Sequence, residues 1–357
     1  MSARRATIRD VAARAGVTIS TVSYALSGKR SVPADVRLRV HRAIEELDYQ
    51  PNASARALRQ QATRTLGLLG PAHDDPHDAA HLELTNMIVQ AAAAADYDLI
   101  VAPGTDSDRV VDRLVRGRRV DGLILMDVRR HDPRIKQIQA TGVPLVSMGR
   151  PERNSAVALV DVDYEDMVRA CVTHLARLGH REIALMNKSA VTLREGFGPS
   201  RDALDGFAAA TADLGLRGLA ACCDHDPEAG ERWVAEVLAA QPGVTGIVTV
   251  NEAALPGLYR GLAASGHSVP ADVSLTGVAS KRWATAFTPE LTGADLPVGQ
   301  QATEVVRMLV DRIRQPELPV SQLVLKPGLT LRRSTAERKD EPEVSPNGRV
   351  VTPEAPA

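Results

Sequence analysis

The sequence predicts a small all-α head followed by an α/β body whose doubly wound parallel sheets form two lobes. Three observations carry this reading. The N-terminal part holds only helical patterns broken by turn signals. From Thr65 short apolar runs alternate with helical patterns, as in a parallel α/β architecture. Near Tyr164 that alternation starts again, which implies a second unit of the same kind. At 357 residues the chain is too long for one ordinary domain, and its 44% hydrophobic content is ample for a sizeable core.

The head is read as a helix-turn-helix. In T-I-R-D-V-A-A-R-A-G-V-T-I-S-T-V-S-Y-A-L-S, Thr7 is placed to cap a first helix, and Asp10 three residues on completes a capping box. Ile8, Val11, Ala12 and Ala15 give that helix an apolar stripe. Gly16 supplies the left-handed exit, and Thr18 is placed to cap a second helix that carries Val22, Ala25 and Leu26 inward. Its outward face is then Ile19, Ser20, Thr21, Ser23 and Tyr24. Small hydroxyls there can bond phosphates or base edges in a major groove, and an apolar side chain can meet a thymine methyl. The alternative is two amphipathic helices of some other small bundle. A third helix, from Pro33 to about Leu47, places Val36, Val40, Ile44 and Leu47 on one face and closes the core. After Pro51, Asn52 can cap a short segment, A-S-A-R-A-L-R, with almost no apolar face, too short to be stable alone.

Charge supports a nucleic-acid partner for the head. The net charge is only −1, but residues 1–65 hold 12 Arg or Lys against 5 Asp or Glu, so the head carries +7 and the remainder −8. Phosphate contacts are expected from among Arg4, Arg5, Arg9, Lys29, Arg30, Arg56 and Arg59, any of which can equally be a solvated surface charge.

In the body, strands are expected at Leu66–Gly70, Asp98–Ala102, Gly122–Met126, Pro144–Met148 and Ala158–Val160, with helices near Leu82–Ala95, Ser107–Arg116 and Pro133–Thr141. The second unit reads as helix Tyr164–Leu178, strand Ile183–Met186, a long loop, helix Arg201–Leu214, strand Leu219–Cys222, helix Glu228–Ala240, strand Gly246–Val250, helix Ala253–Ser265 and strand Val273–Gly277. Ligands of such sheets bind beyond the carboxyl ends of the strands, here in a cleft between two lobes. The expected divisions are a DNA-binding head at 1–50, a connecting segment at 51–65, a two-lobed body with a ligand cleft at 66–335 and a charged, proline-rich tail at 336–357 that lacks periodicity and is expected to be disordered.

The quoted head segment, V-R-L-R-V-H-R-A-I-E-E-L-D-Y-Q-P-N-A-S-A-R-A-L-R, and V-D-G-L-I-L-M, G-V-P-L-V-S-M-G-R, H-L-A-R-L-G-H-R-E-I-A-L, I-V-T-V-N-E-A-A-L, V-P-A-D-V-S-L-T-G and L-T-L-R-R-S-T, in that order, resemble the LacI family of bacterial transcription regulators. The resemblance implies that the short segment is a hinge helix in the minor groove, with Asn52 at its start and Leu58, beside Ala55, wedged between central base pairs; packing of Leu58 on the body is the alternative. It implies a body shaped like a periplasmic sugar-binding protein, with crossings between lobes near Asp161–Asp163, Leu291–Leu296 and Pro319–Ser321, and a homodimer interface that includes Leu82–Ala95. Thr7, Arg9, Thr18, Ile19, Ser20, Thr21, Ser23, Tyr24, Lys29, Asn52, Ala55 and Leu58 are thus the candidate DNA-binding residues. Tyr24 stands where the family commonly has a longer basic or amide side chain.

The cleft departs from the family pattern. An arginine usual before a Gly-aromatic pair is replaced by Ala203, with Arg201 the nearest guanidinium. A Gly-aromatic-Asp run is replaced by Gly277-Val278-Ala279-Ser280, which removes a carboxylate that takes sugar hydroxyls. Asn251 matches a cleft asparagine, followed by Glu252. Losing hydroxyl-bonding groups strongly weakens a site built on them. Other candidates are His73, Asp74, Asp75, His77, Asp78 and His81 at the expected cleft mouth, able to meet a cationic or amino-containing ligand or a metal, or to be a solvated acidic loop. Trp283 and Phe287 can stack on a ligand ring or fill the core. Asp127, Arg129, Arg130 and Asp132 read as a salt-bridged rim. His73, Arg201, Asn251, Ala279 and Trp283 are the candidate ligand-binding residues.

No cofactor or metal is implied, since the spacing matches no metal template, and G-x-S-x-G, a P-loop and H-E-x-x-H are missing, which argues against an enzyme. Cys171 and the adjacent Cys222-Cys223 suggest reduced thiols in a cytoplasmic protein; the N-terminus lacks an apolar signal region, and no run is long enough to span a bilayer. The expected function is a DNA-binding transcription regulator, most simply a dimeric repressor of a near-palindromic double-stranded operator under a small-molecule effector, a sugar or derivative among the candidates. A cytoplasmic small-solute-binding protein is the alternative.

Overall fold

The computed structural model describes residues 6–27, 30–49, 62–70, 79–104, 107–151 and 156–338. Arg4, Arg5, Lys29, the expected hinge helix with Asn52, Ala55, Arg56, Leu58 and Arg59, and the loop residues His73, Asp74, Asp75, His77 and Asp78 lie outside the described residues. The chain divides into two compact units, 1–64 and 65–357.

The head is a three-helix unit of Ile8–Ala15, Ile19–Ser27 and Ala34–Glu46. The Asp10 carboxylate accepts from the Thr7 N–H at 2.8 Å and the Thr7 hydroxyl at 2.7 Å, which anchors the start of the first helix. Gly16 ends it at φ +66°, a conformation that costs glycine little. Thr18 caps the second helix by accepting from the Thr21 N–H at 3.2 Å. Val11, Ala12, Ala15, Val22, Val40, Ala43 and Tyr49 form the core, with Ala25 partly buried against it. Leu26 differs from expectation: it is 38% exposed, because Val22 and Ala25 already turn the inner face of this short helix and Leu26 falls at its flank.

The body holds two six-stranded sheets. The first comprises β1 (Thr65–Leu69), β2 (Asp98–Ala102), β3 (Gly122–Leu125), β4 (Leu145–Met148), β5 (Ala158–Val162) and β11 (Gln322–Leu325), in the order β11-β5-β4-β3-β1-β2. The second comprises β6 (Glu182–Asn187), β7 (Arg217–Cys222), β8 (Gly246–Thr249), β9 (Ser274–Ser280), β10 (Thr292–Leu296) and β12 (Leu329–Thr330), in the order β12-β10-β9-β8-β6-β7. All pairings are parallel except β10 with β12. The five leading strands of each sheet share one winding order, so the restart seen in the sequence is a repeated topology.

The chain crosses between lobes three times. The first crossing falls between β5 and the Tyr164–Arg177 helix, which lies against β8, β9 and β10. The second comes at Pro297, directly after the expected Leu291–Leu296: the Val298–Arg314 helix, unremarked in the sequence, returns to pack on the first sheet and on the Ala79–Ala94 helix. The third lies at 326–328, not at Pro319–Ser321, because Gln322–Leu325 pairs with β5 before the chain leaves the first sheet. The expected tail also starts later. Ser334 is buried and its hydroxyl donates to the Leu275 carbonyl at 2.6 Å, the Ala336 N–H donates to Ser274 Oγ at 3.0 Å, and the Arg338 N–H reaches the Leu178 carbonyl at 2.8 Å. Residues 339–357 lie outside the described residues.

Helices Pro227–Ala240 and Leu255–Ala264 meet almost backbone to backbone. A Cβ on Gly257 would stand 1.7 Å from the Pro227 carbonyl oxygen. Gly257→Ala should therefore cost stability at the upper end of the ~1–3 kcal/mol typical of overpacking. A lowered urea midpoint of the body checks this; an unchanged midpoint would mean that the helices part freely.

Candidate functional site

Two surfaces qualify, one on each unit. On the head, the second helix turns Ile19 (37% exposed), Ser20 and Tyr24 (38%) outward, while Thr21 and Ser23 are partly buried. The Arg30 guanidinium lies 5.9 Å from the Tyr24 ring centroid, which places a positive charge beside this face. Arg9 is exposed on the first helix. Thr7 and Thr18 spend their hydroxyls on helix caps, so their role at the surface is to fix the ends of both helices. Arg14 pairs with Glu46 at 2.5 Å, and Arg39 donates to the Ala15 carbonyl at 3.3 Å, fastening the third helix to the first.

In the body, a cavity of about 120 Å³ opens where the carboxyl ends of the two sheets face each other. The first lobe supplies His81 and Leu84 from the Ala79–Ala94 helix, Met126, Asp127 and Val128 after β3, Met148 at the end of β4, and Asp161 near the end of β5. The second supplies Lys188 after β6, Thr192, Phe197, His225, Val250 and Glu252. Its walls are mainly apolar, with carboxylates set among them. His81 Nε2 and Asp127 Oδ1 are 2.7 Å apart. The Asp161 carboxylate, 8% exposed, accepts from Arg150 Nε at 3.1 Å. Glu252 accepts from the backbone N–H of Ser280.

Of the candidate ligand residues, His81 reaches the cavity, whereas Arg201, Asn251, Ala279, Trp283 and Phe287 do not line it. Arg201 is exposed to solvent. Asn251 is buried, and its amide donates to the carbonyls of Cys223 at 2.9 Å and Asp224 at 3.2 Å, so it ties the end of β8 to the chain after β7. Ala279 packs into the second lobe's core. Phe287 stacks on Tyr259 with 5.0 Å between centroids and on Trp283 with 6.2 Å, which makes this aromatic group core packing. His73 lies outside the described residues. The rim reading of the charges after β3 divides. Asp132 is buried and caps helix Pro133–Gln139 while bonding Arg134; burial works against its charged form, but Arg134 and two backbone N–H groups outweigh that and hold its pKa below the ordinary value. Arg129 and Arg130 instead reach across to the other lobe. Asp161, Lys188 and Thr192 were missed: each belongs to a different segment, and only the crossing at Asp161 carried a signal.

Burial disfavours the thiolate form at all three cysteines. Burial pushes Cys171 and Cys223 up to about 12 and raises Cys222. Among the described residues no group of three or more acidic, His or Cys side chains gathers for a metal, and no helix is long and apolar enough to cross a membrane.

Residues 7–52 match the family model for bacterial regulatory proteins of the lacI family, and 172–335 match a periplasmic binding protein-like domain. The HTH-type transcriptional repressor PurR of Erwinia tasmaniensis is 30% identical over 341 residues, covering 93% of this chain and 97% of that protein. The chain belongs to the lacI family of bacterial regulatory proteins. As a lacI-family member it is a DNA-binding regulator of transcription and not an enzyme. A solved CelR–cellobiose complex is 28% identical with a TM-score of 0.67, covering 92% of this chain and 100% of that one. The lac repressor dimer bound to operator and the anti-inducer ONPF shares the fold at 23% identity, with a TM-score of 0.82 over 93% of this chain and 100% of that one.

Within this regulator, the Asp161 carboxyl of the site is held away from its ordinary pKa. Burial, with a contribution from Asp202, pushes its carboxyl up to about 6 against the pull of Arg150. Between about pH 4 and 6 the folded protein thus holds a proton that the unfolded chain has released, so Asp161 supports folding increasingly as pH falls through 6 and costs stability above it. Asp161→Asn should remove this contribution. The stability of the native protein relative to the variant is expected to rise from pH 7 to pH 5 in parallel melts; a constant difference would show that Asp161 titrates as an ordinary carboxylate.

Proposed function

We propose that this regulator acts as a homodimeric repressor: two heads read the half-sites of a near-palindromic operator, and a small molecule in the inter-lobe cavity sets operator affinity. The observation that carries the effector role is the composition of the cavity, whose walls come from both lobes. A ligand there has a binding energy that depends on how the lobes are arranged, and that difference is what shifts an equilibrium; coupling of this kind is typically ~5–150-fold. Its volume of about 120 Å³ suits a small molecule of about one ring. Asp127, Asp161 and Glu252 favour a ligand rich in hydrogen-bond donors, hydroxyl or amino, and the apolar walls favour one with a ring face. The cellobiose bound by CelR is consistent with a sugar-like effector, held here by other residues. Dimerisation is supported by Leu82 (70% exposed) and Val89 on the Ala79–Ala94 helix and by Val101 (53%) on the edge strand β2, an apolar face that a second copy would cover. The hinge segment with Asn52, Ala55 and Leu58 completes the proposed DNA contacts, with Leu58 as the minor-groove wedge.

Binding selections with the full-length protein test the head. Tyr24→Ala should change which base is preferred at one half-site position, whereas Arg9→Ala should weaken binding to all sequences and reduce the salt slope by about 1. Equal loss on every operator from Tyr24→Ala would remove this helix from base reading. For the cavity, a screen for small molecules that release or tighten operator binding supplies the ligand. Asp161→Asn should then weaken the response while effector-free operator affinity is kept, and an undiminished response would place the effector elsewhere.

A further inference from the structure

We propose that the first lobe of the body carries a second DNA contact, in which Arg113, Arg118 and Arg119 hold phosphates of the duplex that the head reads. The body then adds affinity that is independent of sequence, and the head alone sets the address.

Residues 109–119, R-V-V-D-R-L-V-R-G-R-R, hold five arginines and one aspartate within a body whose net charge is −8. Val110, Val111 and Leu114 are buried in the first lobe's core. Their burial turns Arg109, Arg113 and Arg116 outward, at steps of four and three along the helix that begins at Ser107 and ends in the π-helical turn Asp112–Arg116. Arg118 and Arg119 follow directly and are exposed as well. The neighbouring carboxylates do not balance this charge. Asp112 pairs with Arg116 at 3.0 Å, Asp108 accepts from the Gln137 amide, and Asp121 is half-buried. Among the described residues no carboxylate pairs with Arg113, Arg118 or Arg119.

The fold gives no reason to keep these charges. Arg109 and Arg113 stand four apart on one helix face, an arrangement of like charges that destabilises a helix. Gly117 closes the turn so tightly that a Cβ there would lie 2.3 Å from the Arg113 carbonyl oxygen. Arg118 then adopts φ +48°, a left-handed conformation that glycine takes without strain and arginine does not. An exposed side chain held on strained backbone, with no partner in its own chain, points to a ligand outside it.

Position and charge name that ligand. Arg119 stands two residues before Asp121, whose N–H donates to the Thr65 carbonyl at 2.8 Å, and Thr65 opens β1 where the connector from the head enters the body. The arginines therefore lie at the amino end of the first sheet, the end to which the DNA-binding unit is tethered. The planar guanidinium fork matches phosphate oxygens, and phosphate contacts add affinity without reading bases. Over most of its surface the acidic body is repelled by a polyanion; at this patch it is attracted.

The test uses the full-length protein on a random-sequence duplex, so it depends on neither the operator nor an effector. Binding is measured over a range of salt for the native protein, for Arg118→Gly with Arg119→Gln, and for a control, Lys281→Gln with Arg282→Gln. The control removes two exposed charges of the second lobe, just after β9. Loss of the patch should flatten the slope of log K against log salt by about 1 to 2, at about 0.9 per phosphate, and weaken binding at low salt. Its melting temperature should stay at or above the native value, because glycine relieves the backbone at residue 118. The control should keep the native slope. A photoreactive azidophenacyl label on Arg119→Cys, in a Cys222→Ser background, should form an adduct with the duplex, and the same label on Arg282→Cys should not. Equal slopes for all three proteins, or no adduct at residue 119, would overturn the contact and leave the patch to an acidic protein partner. Failure of the operator reading shows separately, as native binding no tighter to any selected sequence than to random DNA, and leaves this comparison intact.

Discussion

The architecture of the body depends on Asp163, the residue at which the chain first leaves one lobe for the other. Its N–H bonds the Leu325 carbonyl at the end of β11, and its carboxylate caps the next helix through the Asp166 N–H. The same carboxylate lies 3.0 Å from Lys326, the first residue of the third crossing. Burial opposes the charge, but these bonds outweigh it and hold the carboxyl below its ordinary pKa. One side chain thus ties two crossings that are distant in sequence, and the lobes inherit a common pivot. Arg150 and Asp161, one turn of chain away, join the first lobe's β4 and β5 beside that pivot.

Much of the fold was legible because its signals are local. Caps at Thr7 and Thr18, a left-handed glycine at Gly16 and a period near 3.6 define the head without any knowledge of packing. In the body, apolar runs such as Leu66 to Leu69 and Leu123 to Leu125 announce buried parallel strands. The final part of the body was harder. β10 reads T-G-A-D-L, without the branched apolar run of a buried strand, and the Val298–Arg314 helix begins after Pro297 with no side-chain cap. Its place on the first lobe is set by tertiary contacts that no local window contains.

The cavity was less legible, for a related reason. Its polar groups come one or two at a time from the ends of strands and from the loops that follow, so proximity in space leaves no spacing in sequence. Asn251 and Trp283 looked suited to a ligand by residue type, yet the first satisfies two buried carbonyls and the second completes an aromatic stack. What distinguishes Asp161 is burial beside a single guanidinium at the mouth of a cavity, which only the fold creates.

The head's core has a consequence of its own. Seven mostly small buried side chains, three of them alanine, enclose little apolar area, and domains of this size fold with a thin margin. The body has far larger cores spanning both lobes. Damage to the head, as at Val22 or Val40, can therefore abolish the reading of DNA while leaving the body folded and able to take its ligand. Evolution can accordingly retune or silence the address this protein reads without disturbing the receptor that controls it, and a lineage that discards the head keeps a working solute-binding module.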